Sequence, residues 1–151
     1  MKIARDDLRG PEVAALLQQH LDEMALHSPP ESIHALDLAA LREPEIKFWC
    51  LWDDKNLAGC GALRTLDHQH GEIKSMRTAN EYLRRGVAAK LLNHIIDSAR
   101  ETGLSRLSLE TGSMQAFEPA RLMYSKFGFE LCEPFGDYAL DENSLFMTRT
   151  I

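Results

Sequence analysis

The chain has 151 residues and a formal net charge of −6, with 44% hydrophobic and 26% charged residues. That is the size and balance of one ordinary globular domain, with no bias toward disorder. The acidic balance argues against a general nucleic-acid binder, which needs a basic face, and no apolar run approaches the roughly 20 residues of a membrane span.

The opening stretch MKIARDDLRG reads as a short strand, KIAR, followed by charge. It lacks the apolar core of a secretion signal, so a cytoplasmic protein is expected. From Glu12 to Leu26, Val13, Leu16, Leu17, Leu21 and Met24 recur at helical spacing, with Pro11 suited to the first turn. HSPPES breaks this helix. A weaker helix is expected over IHALDLAALRE, Ile33–Glu43, stopping before Pro44.

IKFWCLW and LAGCGALRTL are strand-like runs joined by DDKN, a hairpin signal. Cys50 and Cys60 could face each other across it, but three cysteines without C-x-x-C spacing read as buried small hydrophobes. DHQHG turns the chain into EIKSMRT, a third strand of the meander, whose alternation places Glu72, Lys74, Met76 and Thr78 on one face. Gly86–Thr102 is the clearest helix: Val87, Ala88, Leu91, Leu92, Ile95, Ile96 and Ala99 fill one half of the wheel, and Gly103 ends it. RLSLETG follows as a strand and AFEPARLMYSKFG as a helix closed by Gly128. FELCEPF and NSLFMTRTI end the chain as strands, with GDYALDE looping between them. The predicted order is β-α-α-β-β-β-α-β-α-β-β: one α/β domain over residues 1–151 with a mixed, mostly antiparallel central sheet flanked by helices.

The stretch LRRGVAAKLL, Leu83–Leu92, places two arginines and a glycine before the clearest helix. A helix start presents unpaired N–H groups and the positive end of the macrodipole, so it attracts phosphate. Gly86 gives backbone freedom, and Val87, Ala88 and Ala89 place no long polar side chain over those amides. Arg84 and Arg85 can add charge-assisted bonds. The plain alternative is a turn with two arginines on a solvated face. The strand–loop–helix–strand setting favours a ligand, because open α/β sheets bind theirs at the carboxyl ends of strands.

These residues carry a resemblance to the GNAT N-acetyltransferases, which bind acetyl-CoA. That family's pyrophosphate loop reads Arg/Gln-x-x-Gly-x-Gly/Ala; Gly86 and Ala88 match, and Leu83 departs from it. A second signature, Ala-x-x-x-Tyr-x-x-x-Gly-Phe, is matched by Ala120, Tyr124, Gly128 and Phe129, with Phe117 where asparagine is frequent. LETGS, YSKFGF and PFGDY together look like a bacterial subgroup of these enzymes.

The resemblance implies an acetyl-CoA-dependent N-acetyltransferase that transfers the acetyl group directly to an amine of a small molecule or peptide. Tyr124 would protonate the departing thiolate, and Glu72 would be the base. Glu110 is the rival carboxylate, placed to hold the acceptor's ammonium or relay its proton. Met76, Arg77 and Thr78 would pair their backbone with the cofactor, while Arg84, Arg85, Gly86, Val87, Ala88 and Ala89 would bind its diphosphate. The segment carrying His20, Asp22, Glu23, His27 and Glu31 would wall the acceptor site, with Glu23 and His27 as substrate-binding candidates and Phe135–Tyr138 covering it from the other side. A homodimer is a further expectation. His68 and His70 read as turn histidines and no metal is expected. The competing function is a non-catalytic acyl-CoA-binding or sensor domain. A nucleotide-binding module fits poorly, since neither G-x-x-x-x-G-K-[ST] nor G-x-G-x-x-G occurs.

Overall fold

The computed structural model describes the whole chain, Met1–Ile151. Its elements run β1 (Lys2–Arg5), α1 (Pro11–His27), α2 (Leu38–Leu41), β2 (Ile46–Asp53), β3 (Asn56–Thr65), β4 (His70–Thr78), α3 (Val87–Glu101), β5 (Arg106–Gly112), α4 (Glu118–Lys126), β6 (Glu130–Cys132) and β7 (Ser144–Thr150). The seven strands form one sheet in the order β1-β2-β3-β4-β5-β7-β6. Every neighbouring pair is antiparallel except β4 and β5. That parallel pair needs a crossover, and α3 supplies it. The expected α/β architecture and element order are thus the observed ones. No helix is long and apolar enough to cross a membrane.

The two faces of the sheet are distinguished by residue size. Gly59 and Gly61 on β3 leave room for α3, whose Val87, Leu91 and Ile95 come within reach of where their Cβ atoms would stand. Val87, Leu91, Leu92, Ile95, Ile96 and Ala99 are all buried, matching the expected stripe apart from half-buried Ala88. The other face carries Phe48, Cys50, Cys60 and Ala62, in register as Phe48↔Ala62 and Cys50↔Cys60. The two thiols do face each other across the hairpin and remain free. Burial holds Cys60 protonated, its pKa pushed up to about 12.

Two elements are shorter than expected. The helix over Ile33–Glu43 reduces to Leu38–Leu41, because the Asp37 carboxylate accepts the Ala40 N–H at 2.8 Å and fixes the start there. Upstream, Pro29 and Pro30 hold a single 3₁₀ turn over Pro30–Ser32, and Ile33–Leu36 stays outside any helix. The strand over FELCEPF reduces to Glu130–Cys132; Phe135 leaves the sheet to pack among His70, Tyr138 and Phe146.

Candidate active site

The cleft forms where the sheet comes apart. β4 and β5 pair through His70↔Arg106, Gly71↔Leu107 and Glu72↔Ser108, and then separate. Beyond those residues β4 runs on to Thr78 and β5 to Gly112, so two strand edges face a gap. Such edges carry backbone groups that need partners. A bulge accompanies the separation: Cys60 opposes Arg77 and Ala62 opposes Lys74, so Ser75 and Met76 together oppose Gly61. Ser75 adopts φ 55°, a left-handed conformation that costs a non-glycine residue about 1 kcal/mol. Its carbonyl accepts the Cys60 thiol at 3.3 Å.

The extra residue overturns the expected alternation. Glu72 and Lys74 share one face, but the bulge turns Met76 to the other, where its sulfur fills the space left by Gly61 beside Ile95. Arg77 takes the face of Lys74 and binds Glu23 of α1 at 2.7 Å. The Arg77 Nε is buried without a hydrogen-bond partner.

At the start of α3, Gly86 has φ 80° and no side chain caps the helix. Nothing lies within 4 Å of where a Gly86 Cβ would stand, so its positive φ rather than crowding calls for glycine. Arg84 is also left-handed, at φ 63°. Val87 is buried against Gly59 and anchors the first turn, while Arg84, Arg85 and Gly86 are exposed. The Arg85 guanidinium stacks 4.7 Å from the Tyr82 ring centre, and the Tyr82 hydroxyl donates to Asp53 at 2.9 Å. The amides of Val87, Ala88 and Ala89 have no carbonyl partner within the helix.

Tyr124 is fixed by the way α4 ends. The Gly128 N–H bonds the Ser125 carbonyl at 3.0 Å and the Phe129 N–H bonds the Tyr124 carbonyl at 3.1 Å, with Gly128 at φ 88°. This is the paired closure of a Schellman motif, and the Phe129 ring completes it by meeting Tyr124 edge-on at 5.8 Å. The Tyr-x-x-x-Gly-Phe spacing is therefore a helix stop that clamps the tyrosine. Burial alone raises the Tyr124 pKa well above that of an ordinary phenol, so the hydroxyl keeps its proton.

Tyr124, Met76, Glu72 and Glu110 line one cavity of about 130 Å³. Glu72 is deeply buried, at 2% exposure, and its Oε2 accepts the Tyr138 hydroxyl at 2.5 Å and Lys74 Nζ at 3.2 Å. Lys74 Nζ also donates to the Tyr138 hydroxyl at 3.0 Å. Burial and the Glu72 charge together hold Tyr138 protonated. His34, on the non-helical segment before α2, packs edge-on against Tyr138 with ring centres 5.0 Å apart. The loop is tied down farther along, where Asp141 accepts the Ser32 hydroxyl at 2.6 Å. Across the cavity, burial raises the Glu110 pKa, countered by Ser144, His34 and Lys74.

From α1, His20 and Met24 reach the cavity. Burial, aided by the Arg77 charge, holds the His20 pKa down at about 4. Glu23 and His27 do not line it: Glu23 is spent on Arg77, and His27 meets the Phe117 ring edge-on at 5.9 Å. Phe117 itself lies over Gly112, where any Cβ would collide with its ring. His70 bonds Ser108 at 2.6 Å instead of facing the cavity. Lys74 and His34 also line the cavity and carry no motif of their own in the sequence. Lys74 was legible as a same-face neighbour of Glu72; His34 was hidden by the overlong helix.

The model of the Acetyltransferase (GNAT) family matches residues 12–129. The chain is 59% identical over 151 residues to the uncharacterized N-acetyltransferase YsnE of Bacillus subtilis, covering 100% of both chains. It is 52% identical to the uncharacterized N-acetyltransferase YedL of Escherichia coli, over 99% of this chain and 94% of that one. In fold it resembles a GNAT family acetyltransferase of Elizabethkingia anophelis solved with acetyl-CoA bound, with TM-score 0.69 and 16% identity over 99% of this chain and 97% of that one. The chain belongs to the GNAT acetyltransferase family.

Proposed function

We propose that the α3 amides, Tyr124 and the cleft carboxylates together move an acetyl group from acetyl-CoA directly to an amine of a small molecule or peptide. The chain is an acetyl-CoA-dependent N-acetyltransferase. The start of α3 suits a diphosphate. Its first-turn amides are free, no side chain caps them, and Arg84 and Arg85 stand exposed beside them. Gly86, Val87, Ala88 and Ala89 would hold the diphosphate there. The open edge of β4 suits the amides of the cofactor's arm, which Met76, Arg77 and Thr78 would meet as an added strand does.

Bound acetyl-CoA supplies an activated acyl carbon and a thiol leaving group. The chain's residues supply the proton handling. Tyr124 holds a proton at its hydroxyl, poised for the sulfur as it leaves. A backbone N–H near Met76 or Arg77, freed by the bulge, would face the carbonyl oxygen as it gains negative charge. Glu72 and Glu110 draw the acceptor's ammonium into the cavity and provide a carboxylate for its proton.

The observation that carries this reading is the meeting of a clamped, protonated Tyr124 with two carboxylates in one cavity at the mouth of the β4–β5 gap. The test is thiol release from acetyl-CoA across a panel of amines, beside calorimetry with acetyl-CoA alone. Amine-dependent release supports the reading. Tight binding without release on the whole panel favours the non-catalytic acyl-CoA-binding alternative, and no binding removes both.

A further inference from the structure

The two cavity carboxylates are not equivalent. Glu72 is already engaged: both the Tyr138 hydroxyl and the Lys74 ammonium converge on its Oε2. Its ion pair with Lys74 is itself buried, the lysine being only 9% exposed. Leaving one member of a buried pair charged and alone is strongly destabilising, so the Glu72 carboxylate is committed to its pair with Lys74.

Glu110 stands in the opposite condition. It belongs to none of the ion pairs in the structure. Its register lies past the last β4–β5 pair, Glu72↔Ser108, so it projects from the part of β5 that borders the gap. It lines the same cavity as Tyr124.

The geometry points to Glu110 as the group that takes the acceptor's proton, with Glu72, Lys74 and Tyr138 acting as a fixed wall that orients the acceptor. This rests on the acetyltransferase reading above. Burial supports it by raising the affinity of Glu110 for a proton. The groups that face Glu110 are Glu72 and Lys74 from β4, Ser144 at the start of β7, His34 before α2, Tyr138 from the β6–β7 loop, and His20 from α1.

The proton balance is simple. An acceptor arriving as an ammonium gives one proton to Glu110, which passes it to solvent. Its lone pair then bonds the acetyl carbon while the carbon–sulfur bond breaks. Tyr124 gives its proton to the sulfur and is restored by the second proton lost from nitrogen, so each turnover releases one proton.

The test is kcat against pH at saturating acceptor for the wild type, Glu110→Gln, Glu72→Gln and Tyr138→Phe, with acetyl-CoA affinity measured alongside. Expected is a fall of about 100-fold in Glu110→Gln with loss of the acidic limb of the profile, and unchanged acetyl-CoA affinity. Glu72→Gln and Tyr138→Phe lose rate but keep the limb. If Glu72→Gln fails to fold, Tyr138→Phe alone reports on the wall. An acidic limb that survives in Glu110→Gln, or vanishes in Tyr138→Phe or in a folded Glu72→Gln, overturns the assignment. Wild-type thiol release is the separate check on the acetyltransferase reading.

Discussion

The two ends of the cleft are built in different ways. At the α3 end, consecutive residues from Leu83 to Ala89 present backbone amides, and the demands on side chains are mostly for smallness. At the acceptor end, side chains converge from α1, the segment before α2, β4, β5, α4 and the loop before β7. A site made of backbone tolerates Leu83 in place of a polar residue, because helix geometry still supplies the donors. A site made of side chains changes character with each residue while the sheet beneath it stays the same. One fold can therefore keep its donor and vary its acceptor.

The sharpest way to break this contrast is Tyr124→Phe. Removing the hydroxyl should lower kcat by about 100-fold in a thiol-release assay and leave acetyl-CoA affinity unchanged. An unchanged rate would strip the tyrosine of its part. Next in size is Gly112→Ala, where the added methyl collides with the Phe117 ring. Overpacking should cost about 2 kcal/mol in denaturant unfolding and disturb the acceptor wall more than the cofactor turn. Gly86→Val forces a branched residue into φ 80°, so calorimetry should show acetyl-CoA affinity falling by about 10-fold, with acceptor KM little moved.

The effect that is smallest at neutral pH concerns acid stability. His20 has its pKa lowered from 6.5 to about 4 by burial, so the folded state holds it neutral. Its contribution is complete above pH 6.5 and is lost as the pH falls toward 4, where the unfolded chain binds the proton first. His20→Gln should flatten that loss, which runs at about 1.4 kcal/mol per pH unit between the two values, in unfolding curves taken across the interval. Identical acid profiles would show that the imidazole is not held neutral.

The same contrast governs what the sequence discloses. The α3 turn and the α4 stop are local: Gly86, Gly103 and Gly128 mark positive φ, and each is readable within a few residues of its helix. The element order followed from hairpin and strand–loop–helix–strand signals of equal locality. The acceptor wall is not local. Tyr138 meets Glu72 across 66 positions of sequence, and a contact of that kind becomes visible only after the sheet and its loops are placed. The bulge at Ser75 was hidden because an extra residue leaves no mark when a serine, not a glycine, takes the left-handed position. His34 was concealed by a helix start misplaced upstream of the Asp37 cap. Glu23 looked like a wall residue until its partner Arg77 was turned toward it by that bulge.

The most direct measurement is the change in backbone amide resonances as acetyl-CoA is titrated into the labelled protein. The largest shifts should fall on Gly86–Ala89 and Met76–Thr78, with the amides of β1 and β2 barely moved. Undisturbed amides at the beginning of α3, or shifts concentrated on another surface, would contradict it.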